Sequence, residues 1–190
     1  MQVTWHFVWM PSAFTHAFAA LALGHVSTGE KMPTRFWVLS AFCAVVPDAD
    51  VISFAFGVRR GSMFGHRGLT HSLIFALLLA ILVVWLGFRK TQAFSKDWWK
   101  LLIYFFIVTA SHGLLDALTD GGSGVAFFAP FDTARYFFSW RPIEVSPIGL
   151  RFFSGRGLEV IMSEFVWVWI PAALLVAFVW LYRRLRASLK

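Results

Sequence analysis

The sequence predicts an all-α, polytopic membrane protein of about five transmembrane helices, with a long loop between the fourth and the fifth. Three observations carry that reading. Of the 190 residues, 58% are hydrophobic and only 14% are charged, against roughly a quarter charged in soluble domains. The mean hydropathy is +0.68. The apolar residues are gathered into runs long enough to enter a bilayer, with the basic residues in short clusters between them. Lys and Arg outnumber Asp and Glu by 17 to 10, but those clusters build no basic surface of the kind that grips nucleic acid. Topology and anionic lipid headgroups account for them better. The one cysteine, Cys43, lies in an apolar run, which excludes an intrachain disulfide and a thiolate zinc cluster, so any metal site must use His and carboxylate.

The elements follow in order, as one integral membrane domain over residues 1–190. The N-terminus lacks the basic start and small-residue cleavage site of a signal peptide, so insertion is expected to rest on the spans themselves; Met10 offers an alternative start. Pro11-Ser12 supplies a break and a helix N-cap before the first span, about residues 13–27. That span is short for a full crossing, carries His16 in its first turn, and ends at Ser27-Thr28-Gly29. The second, about residues 36–56, contains Val46-Pro47-Asp48-Ala49-Asp50 near its far end, where proline frees backbone groups and two carboxylates lie at membrane depth. A loop with Arg59, Arg60, His66 and Arg67 leads to the third span, about residues 69–88. After a basic link from Arg89 to Lys100 comes the fourth, about residues 101–119, closing on His112-Gly113-Leu114-Leu115-Asp116 and stopped by Gly121-Gly122-Ser123-Gly124. From Val125 to about Leu158 the chain is rich in aromatics, Arg and Pro, with no run long enough to span. The fifth span, about residues 160–182, ends in Arg183-Arg184-Leu185-Arg186.

Alternating crossings put the polar motifs at one membrane face. His16 opens span one, Asp48 and Asp50 close span two, His66 and His71 flank the start of span three, and His112 and Asp116 close span four. The links at the other face are short and basic: Lys31 and Arg35, then Arg89, Lys90, Lys96 and Lys100, then Arg183, Arg184, Arg186 and Lys190. The positive-inside rule makes that face cytoplasmic, with the C-terminus, and directs the polar set to the periplasmic or outer face. Arg59, Arg60, Arg67, Arg135, Arg141, Arg151 and Arg156 on the outer loops reduce the contrast.

His112 and Asp116, four apart on a helix, project from one face and can share an ion. Of Asp48 and Asp50, one can ligate while the other orients a ligand histidine. His66 and His71 bracket a glycine-containing turn; His71, at the helix start, is the firmer ligand candidate, and His66 ligates a second ion or handles a proton. The candidate metal set is therefore His16, Asp48, Asp50, His66, His71, His112 and Asp116. It suits Zn²⁺, with Mn²⁺ or Fe²⁺ as carboxylate-rich alternatives. Asp50, Asp116 and His66 are the candidate catalytic groups. Arg67, Arg135 and Arg141 are candidates to hold a substrate phosphate, with a headgroup anchor as the competing role of Arg67. His6 and His25 read as interfacial histidines, the aromatics of Phe127–Trp140 as an interfacial belt, and Asp120 and Asp132 as exposed loop carboxylates. Glu164 lies deeper than Glu159 and, in the simplest reading, is a carboxylate favoured by the N-terminus of its own helix.

Met10-Pro11-Ser12 with His16, Pro47-Asp48-Ala49-Asp50, His66-Arg67-Gly68-Leu69-Thr70-His71-Ser72, and His112-Gly113-Leu114-Leu115-Asp116 with Thr119 together resemble the LexA-regulated, inner-membrane metal-dependent hydrolase family of the YdjM type. Arg135-Tyr136-Phe137-Phe138 and Trp140-Arg141-Pro142-Ile143 fit it too. The resemblance runs from Met10 to about Trp167 and implies a multi-spanning protein of the bacterial inner membrane with metal-dependent hydrolase activity. The motif order is also distantly similar to zinc-dependent phospholipases C. The chain has no His-Glu-x-x-His, no Gly-x-Ser-x-Gly and no Pro-Ser-Gly-His element. The expected activity is hydrolysis of an ester or phosphoester, with a lipid or lipid-linked phosphate as the substrate class and membrane lipids as partners. The competing class is a non-enzymatic membrane protein that uses the metal structurally or transports it.

Overall fold

The computed structural model describes residues 9–10, 12–28, 31–59, 61–147 and 155–189. His6, Pro11, Gly29, Arg60 and Arg151 lie outside them. Among the described residues five helices form a bundle: α1 (Ala13–Ser27), α2 (Thr34–Phe56), α3 (Leu73–Gly87), α4 (Lys96–Ala117) and α5 (Gly155–Ser188). The strand pairing among the described residues is a two-residue antiparallel ladder, Trp9 facing Pro147 and Met10 facing Ser146. α2, α4 and α5 are long and apolar enough to cross a membrane. α1 and α3, at 15 residues each, reach only ~22 Å, short of the ~30 Å hydrocarbon layer.

Serine sets three of the helix starts. The side chains of Ser12, Ser72 and Ser95 accept from the amides of Thr15, Phe75 and Trp98, at 3.3, 3.2 and 3.2 Å, which satisfies one of the orphan donors in each first turn. These caps move two boundaries from those the hydrophobic runs suggest. The third helix starts at Leu73 because Leu69–His71 is a tight turn before the Ser72 cap. The fourth starts at Lys96, since Ser95 caps it and Asp97 suits its positive end.

α2 is α-helical through Val45 and then continues as a 3₁₀ helix from Val46 to Phe56. Pro47, at the first turn of that segment, has no amide proton to continue the α ladder, and Gly57, at φ 77°, ends it. Runs of 3₁₀ beyond three or four residues are uncommon and often mark functional segments. With about three residues per turn, Asp48 and Asp50 point about 120° apart. α5 carries a π-helical turn, Phe165–Trp169, between its α-helical parts.

The core lies between α1, α2, α3 and α4, where Ala20, Phe36, Cys43, Ala80, Val84, Phe105 and Val108 are buried. Tyr104 on α4 ties the helices together, its hydroxyl 2.8 Å from Ser40 Oγ and 3.2 Å from Ala20 O. α5 rests against α1, with Trp169 stacked on Phe18, and from Ile170 to Ser188 it buries no residue, as expected of a helix whose neighbour is lipid. The segment 125–147 folds over the end of the bundle where α1 begins. It is pinned there by Ala126 N–H on Arg67 O, Phe138 N–H on Ala117 O and Asp120 N–H on Ile143 O.

A candidate metal centre at one end of the bundle

The start of α1, the 3₁₀ half of α2, the turn before α3 and the last turns of α4 converge at this end. His16, Asp48, His66, Arg67, His71, His112 and Asp116 are all buried there. The two central histidines have their outer nitrogens committed. His112 Nδ1 lies 2.7 Å from Ala44 O, and a carbonyl only accepts, so Nδ1 carries the proton and Nε2 is bare. His71 Nδ1 lies 3.2 Å from Asp50 Oδ2 and 3.0 Å from Thr70 Oγ1, so it donates as well.

The bare nitrogens face each other and two carboxylates. His71 Nε2 stands 3.0 Å from His112 Nε2, 3.1 Å from Asp116 Oδ2 and 3.8 Å from Asp48 Oδ1. His112 Nε2 is 3.3 Å from Asp48 Oδ1 and 3.9 Å from Asp116 Oδ2. All four atoms fall within 4.8 Å of one another. Tetrahedral Zn²⁺ with arms of 2.0–2.2 Å holds its ligands about 3.3–3.6 Å apart, inside the spread of these separations. Both oxygens of Asp48 and of Asp116 lack a hydrogen-bond partner. Beyond the approach of the two Nε2 atoms and the Arg67 guanidinium beside Asp116, these acceptors converge with little positive charge among them: a proton on one nitrogen would serve one pair, and a divalent ion serves all four. The donor set thus fits a metal.

His16 stacks on His112 with ring centroids 3.8 Å apart, and its Nε2 lies 3.7 Å from Asp116 Oδ1. Both its ring nitrogens are buried without a hydrogen-bond partner, which places a fifth donor beside the other four.

Around this cluster stands a hydrogen-bonded outer layer. Asp50 is its hub, with Oδ1 2.8 Å from His66 Nδ1 and Oδ2 accepting from Thr70 Oγ1 at 2.6 Å as well as from His71. Asp50 and Asp48 therefore flank opposite nitrogens of the His71 ring, as their 120° separation on the 3₁₀ segment requires. Asp50, His66 and His71 also form a group with metal-ligand proximity, but there Asp50 faces the Nδ1 of both rings, and those nitrogens carry protons. His66 Nε2 is buried without a partner.

The arginines take places the sequence did not suggest. Arg67 is fully buried, at the left-handed φ of 61°, a conformation that persists in a non-glycine residue only when its surroundings impose it. Its Nε lies 3.1 Å from Asp116 Oδ2, while Nη1 donates to Gly121 O and Nη2 to Thr119 Oγ1. Expected as a phosphate ligand or headgroup anchor, it instead pairs with the metal-candidate carboxylate of Asp116, at the same oxygen that faces His71. Arg135 donates to the carbonyls of Ser62, His66, Arg67 and Gly124 and to Ser123 Oγ, so it braces the loop over the site. Burial and the nearby Arg67 pull its pKa below the ordinary value, partly offset by Asp50. Arg141 is exposed and lies over the ring of Phe137 at 4.8 Å.

Glycine makes room for the clamp. Gly122, at φ 94°, passes so close that a Cβ there would collide with the Arg67 guanidinium. At Gly113, α4 approaches within 3.1 Å of His71 O, measured from a Cβ position. Glu164 is also buried, but it serves α1 rather than its own helix: it accepts from Ser12 N–H, from Ser12 Oγ at 2.6 Å and from Thr15 Oγ1 at 2.7 Å. Thr15 in turn accepts from Trp169 Nε1 at 2.7 Å, out of the π turn. α5 begins at Gly155, so Glu164 lies well past its first turn. Three features had no sequence signal: the Ala44 carbonyl, the inward Arg67 and the pairing of Glu164 with α1. A buried arginine beside glycines at left-handed φ shows only in three dimensions.

The fold and this site define a multi-helix membrane protein with an enclosed His/Asp group able to hold a metal. Comparison with known proteins places it further. The family model for the YdjM inner membrane protein matches residues 10–187, and the chain belongs to that family. It is 40% identical over 176 residues to the inner membrane protein YbcI of Escherichia coli strain K12, covering 92% of this chain and all of the relative. No solved structure matches the chain.

Proposed function

We propose that the chain is a membrane-embedded, metal-dependent hydrolase of an ester or phosphoester, with a lipid or lipid-linked phosphate as substrate. One observation carries the reading: Asp48, His71, His112 and Asp116 bring one ligand atom each within 4.8 Å of the others, the carboxylate oxygens have no hydrogen-bond partner, and both histidines have their far nitrogens held on acceptors. Those four residues would hold the ion, with His16 as a fifth ligand; Zn²⁺ fits the separations best, and Mn²⁺ or Fe²⁺ suit the carboxylates. When bound, the ion supplies a polarised oxygen and a water of lowered pKa.

The chain's own groups do the rest. Asp50 orients His71 through Nδ1 and would raise its basicity as a ligand. The same carboxylate fixes the His66 proton on Nδ1, so Nε2 is an acceptor, and His66 is the residue placed to take a proton from an attacking water. Asp116, shared between Arg67 and the ion site, is a poorer base than His66. The site is open on one side only: Asp48 keeps 10% of its side-chain surface, His66 6% and Asp50 4%, while His16, His71, His112, Asp116 and Arg67 keep none. Substrate would enter along the 3₁₀ segment and the loop that follows it. α1 spans too little to reach both interfaces, so the site would lie below the headgroups, where a lipid has access and a soluble substrate has less.

The test is metal content per purified chain together with turnover of a chromogenic phosphodiester and of lipid esters. His71→Ala should lose both metal and turnover; His66→Ala should keep the metal and lose most of the rate. Absence of metal from the wild-type chain would overturn the reading. A second reading, a structural metal, is favoured by one observation: His16 beside the other four donors closes the shell, as in non-catalytic sites. Full metal occupancy with no turnover across an ester panel would establish it. Ion transport is disfavoured by the apolar packing of Phe36, Phe105, Val108 and Ala80 below the site. We place the site on the periplasmic face. With Cys43 replaced, a cysteine at Ser62 should label from outside and one at Thr91 should not.

A further inference from the structure

At the other end of the α1/α5 pair, about 18 Å along α1 from His16, a cleft of about 800 Å³ opens between the end of α1, the start of α2 and the last turns of α5. Its volume lies in the ~300–1,000 Å³ range of small-molecule sites. Its charged lining is basic: Lys31, Arg183 and Arg184, with His25 beside them and no Asp or Glu among the described residues that line it. Trp37 and Trp180 form its apolar walls. His25 lies against Trp37 at 4.5 Å between ring centroids, and Arg184 lies 5.3 Å over Trp180.

Arg183 is fixed here. Its Nη1 donates to His25 O at 3.0 Å and Thr28 O at 2.6 Å, and its Nη2 to Val26 O at 2.7 Å. These bonds satisfy carbonyls that end α1 and hold the guanidinium rigidly at the mouth of the cleft, with three of its five donors engaged. The neighbouring charges on Arg184 and Lys31 are exposed. The walls continue onto Val176 and Trp180 of α5, on the part of that helix that buries no residue, so the cleft opens sideways to where acyl chains would lie. A soluble anion would need only the charges. The apolar side opening and the paired tryptophans at the same level are what a lipid needs.

We propose that this cleft binds the headgroup phosphate of an anionic phospholipid, with Lys31, Arg183 and Arg184 around the phosphate and the chains along Val176 and Trp180. The site is independent of the metal centre. The purified wild-type chain, analysed by native mass spectrometry with phosphatidylglycerol and phosphatidylcholine in equal amounts, should retain one phosphatidylglycerol preferentially. Lys31→Ala with Arg184→Ala should weaken that retention roughly tenfold or more, while leaving metal content and helix content unchanged; Arg183 is kept because it closes α1. Trp180→Ala, with all charges intact, should weaken retention of the lipid and not the binding of inorganic phosphate. Equal retention of the two lipids by the wild type would overturn the proposal, as would unchanged retention in the double variant. Displacement of the lipid by inorganic phosphate at equal concentration would reassign the cleft to a soluble anion.

Discussion

Where α1 begins, the polar side chains of His16, Asp48, Arg67, His71, His112 and Asp116 are enclosed, and where α1 stops, the charges of Lys31, Arg183 and Arg184 stand exposed. The same helix carries both ends, yet the rules differ. At the enclosed end, among the described residues, three carboxylates (Asp48, Asp50, Asp116) meet one fully buried guanidinium, Arg67, and the excess of negative charge is what a divalent ion offsets. Each polar atom there needs a specified partner, so geometry is strict: a 3₁₀ segment, a left-handed arginine and a glycine that clears its path. At the exposed end, water and backbone carbonyls can satisfy each group singly, so position is loose and charge is what matters.

The largest test of that contrast is Asp116→Ala. It removes a metal-candidate oxygen and leaves Arg67 buried beside nothing of opposite charge, a loss of about 3–5 kcal/mol. Thermal unfolding in detergent would show it as a drop of roughly 6–20 °C, on the scale of about 2–4 °C per kcal/mol for chains of this size. A loss under about 1 kcal/mol would mean that the enclosed end is not electrostatically strict.

Metal removal comes next. Ligand binding at a thousandfold over the dissociation constant stabilises by about 4 kcal/mol, so a strong chelator should lower the wild-type midpoint by roughly 8–16 °C. It should leave the midpoint of His112→Ala unchanged, since that variant has no ion to lose. An equal response of both proteins would sever the cluster from the stability of the bundle.

Much of this was legible in the sequence, because hydrophobic runs and alternating crossings are properties of segments. The five runs locate the five helices, and their alternation brings His16, Asp48, Asp50, His66, His71, His112 and Asp116 to one end. What was not legible depends on single backbone states. Pro47 announces a break in the α ladder but not eleven residues of 3₁₀ helix, and it is that geometry which turns Asp48 and Asp50 to opposite sides of one imidazole. Arg67 reads as a loop cation until its φ is known. Glu164 reads as a residue of its own helix, while its partners lie about 150 positions away.

Gly122→Ala tests the strictness without touching a charge. The added methyl meets the Arg67 guanidinium at a backbone angle that disfavours any side chain, which costs about 1–3 kcal/mol. If the contrast holds, metal affinity should fall with stability, because a displaced Arg67 no longer holds Asp116. Gly57→Ala is the control: it also has positive φ, but open space surrounds its Cβ position, so it should cost stability alone. Metal content and unfolding midpoint of the two variants, measured side by side, separate strain from site disruption. If both lose metal equally, the Arg67 clamp has no special part in the site.

The smallest expected effect is at the other end. Lys31→Ala and Arg184→Ala, each exposed, should change the unfolding midpoint in zwitterionic detergent by no more than the ~0.5 kcal/mol typical of surface positions, with metal content untouched. In bilayers containing phosphatidylglycerol the same variants should lose part of the stabilisation that the lipid gives the wild type, and added salt should shrink that difference as it screens exposed charge. The salt dependence is the sharper half of the test. Asp116→Ala removes a pair shut away from solvent, so its cost should hardly vary with ionic strength, whereas the cleft variants should converge on the wild type as salt rises. A salt-insensitive cleft, or a salt-sensitive Asp116, would erase the distinction between an end of the bundle that encloses its charges and one that displays them.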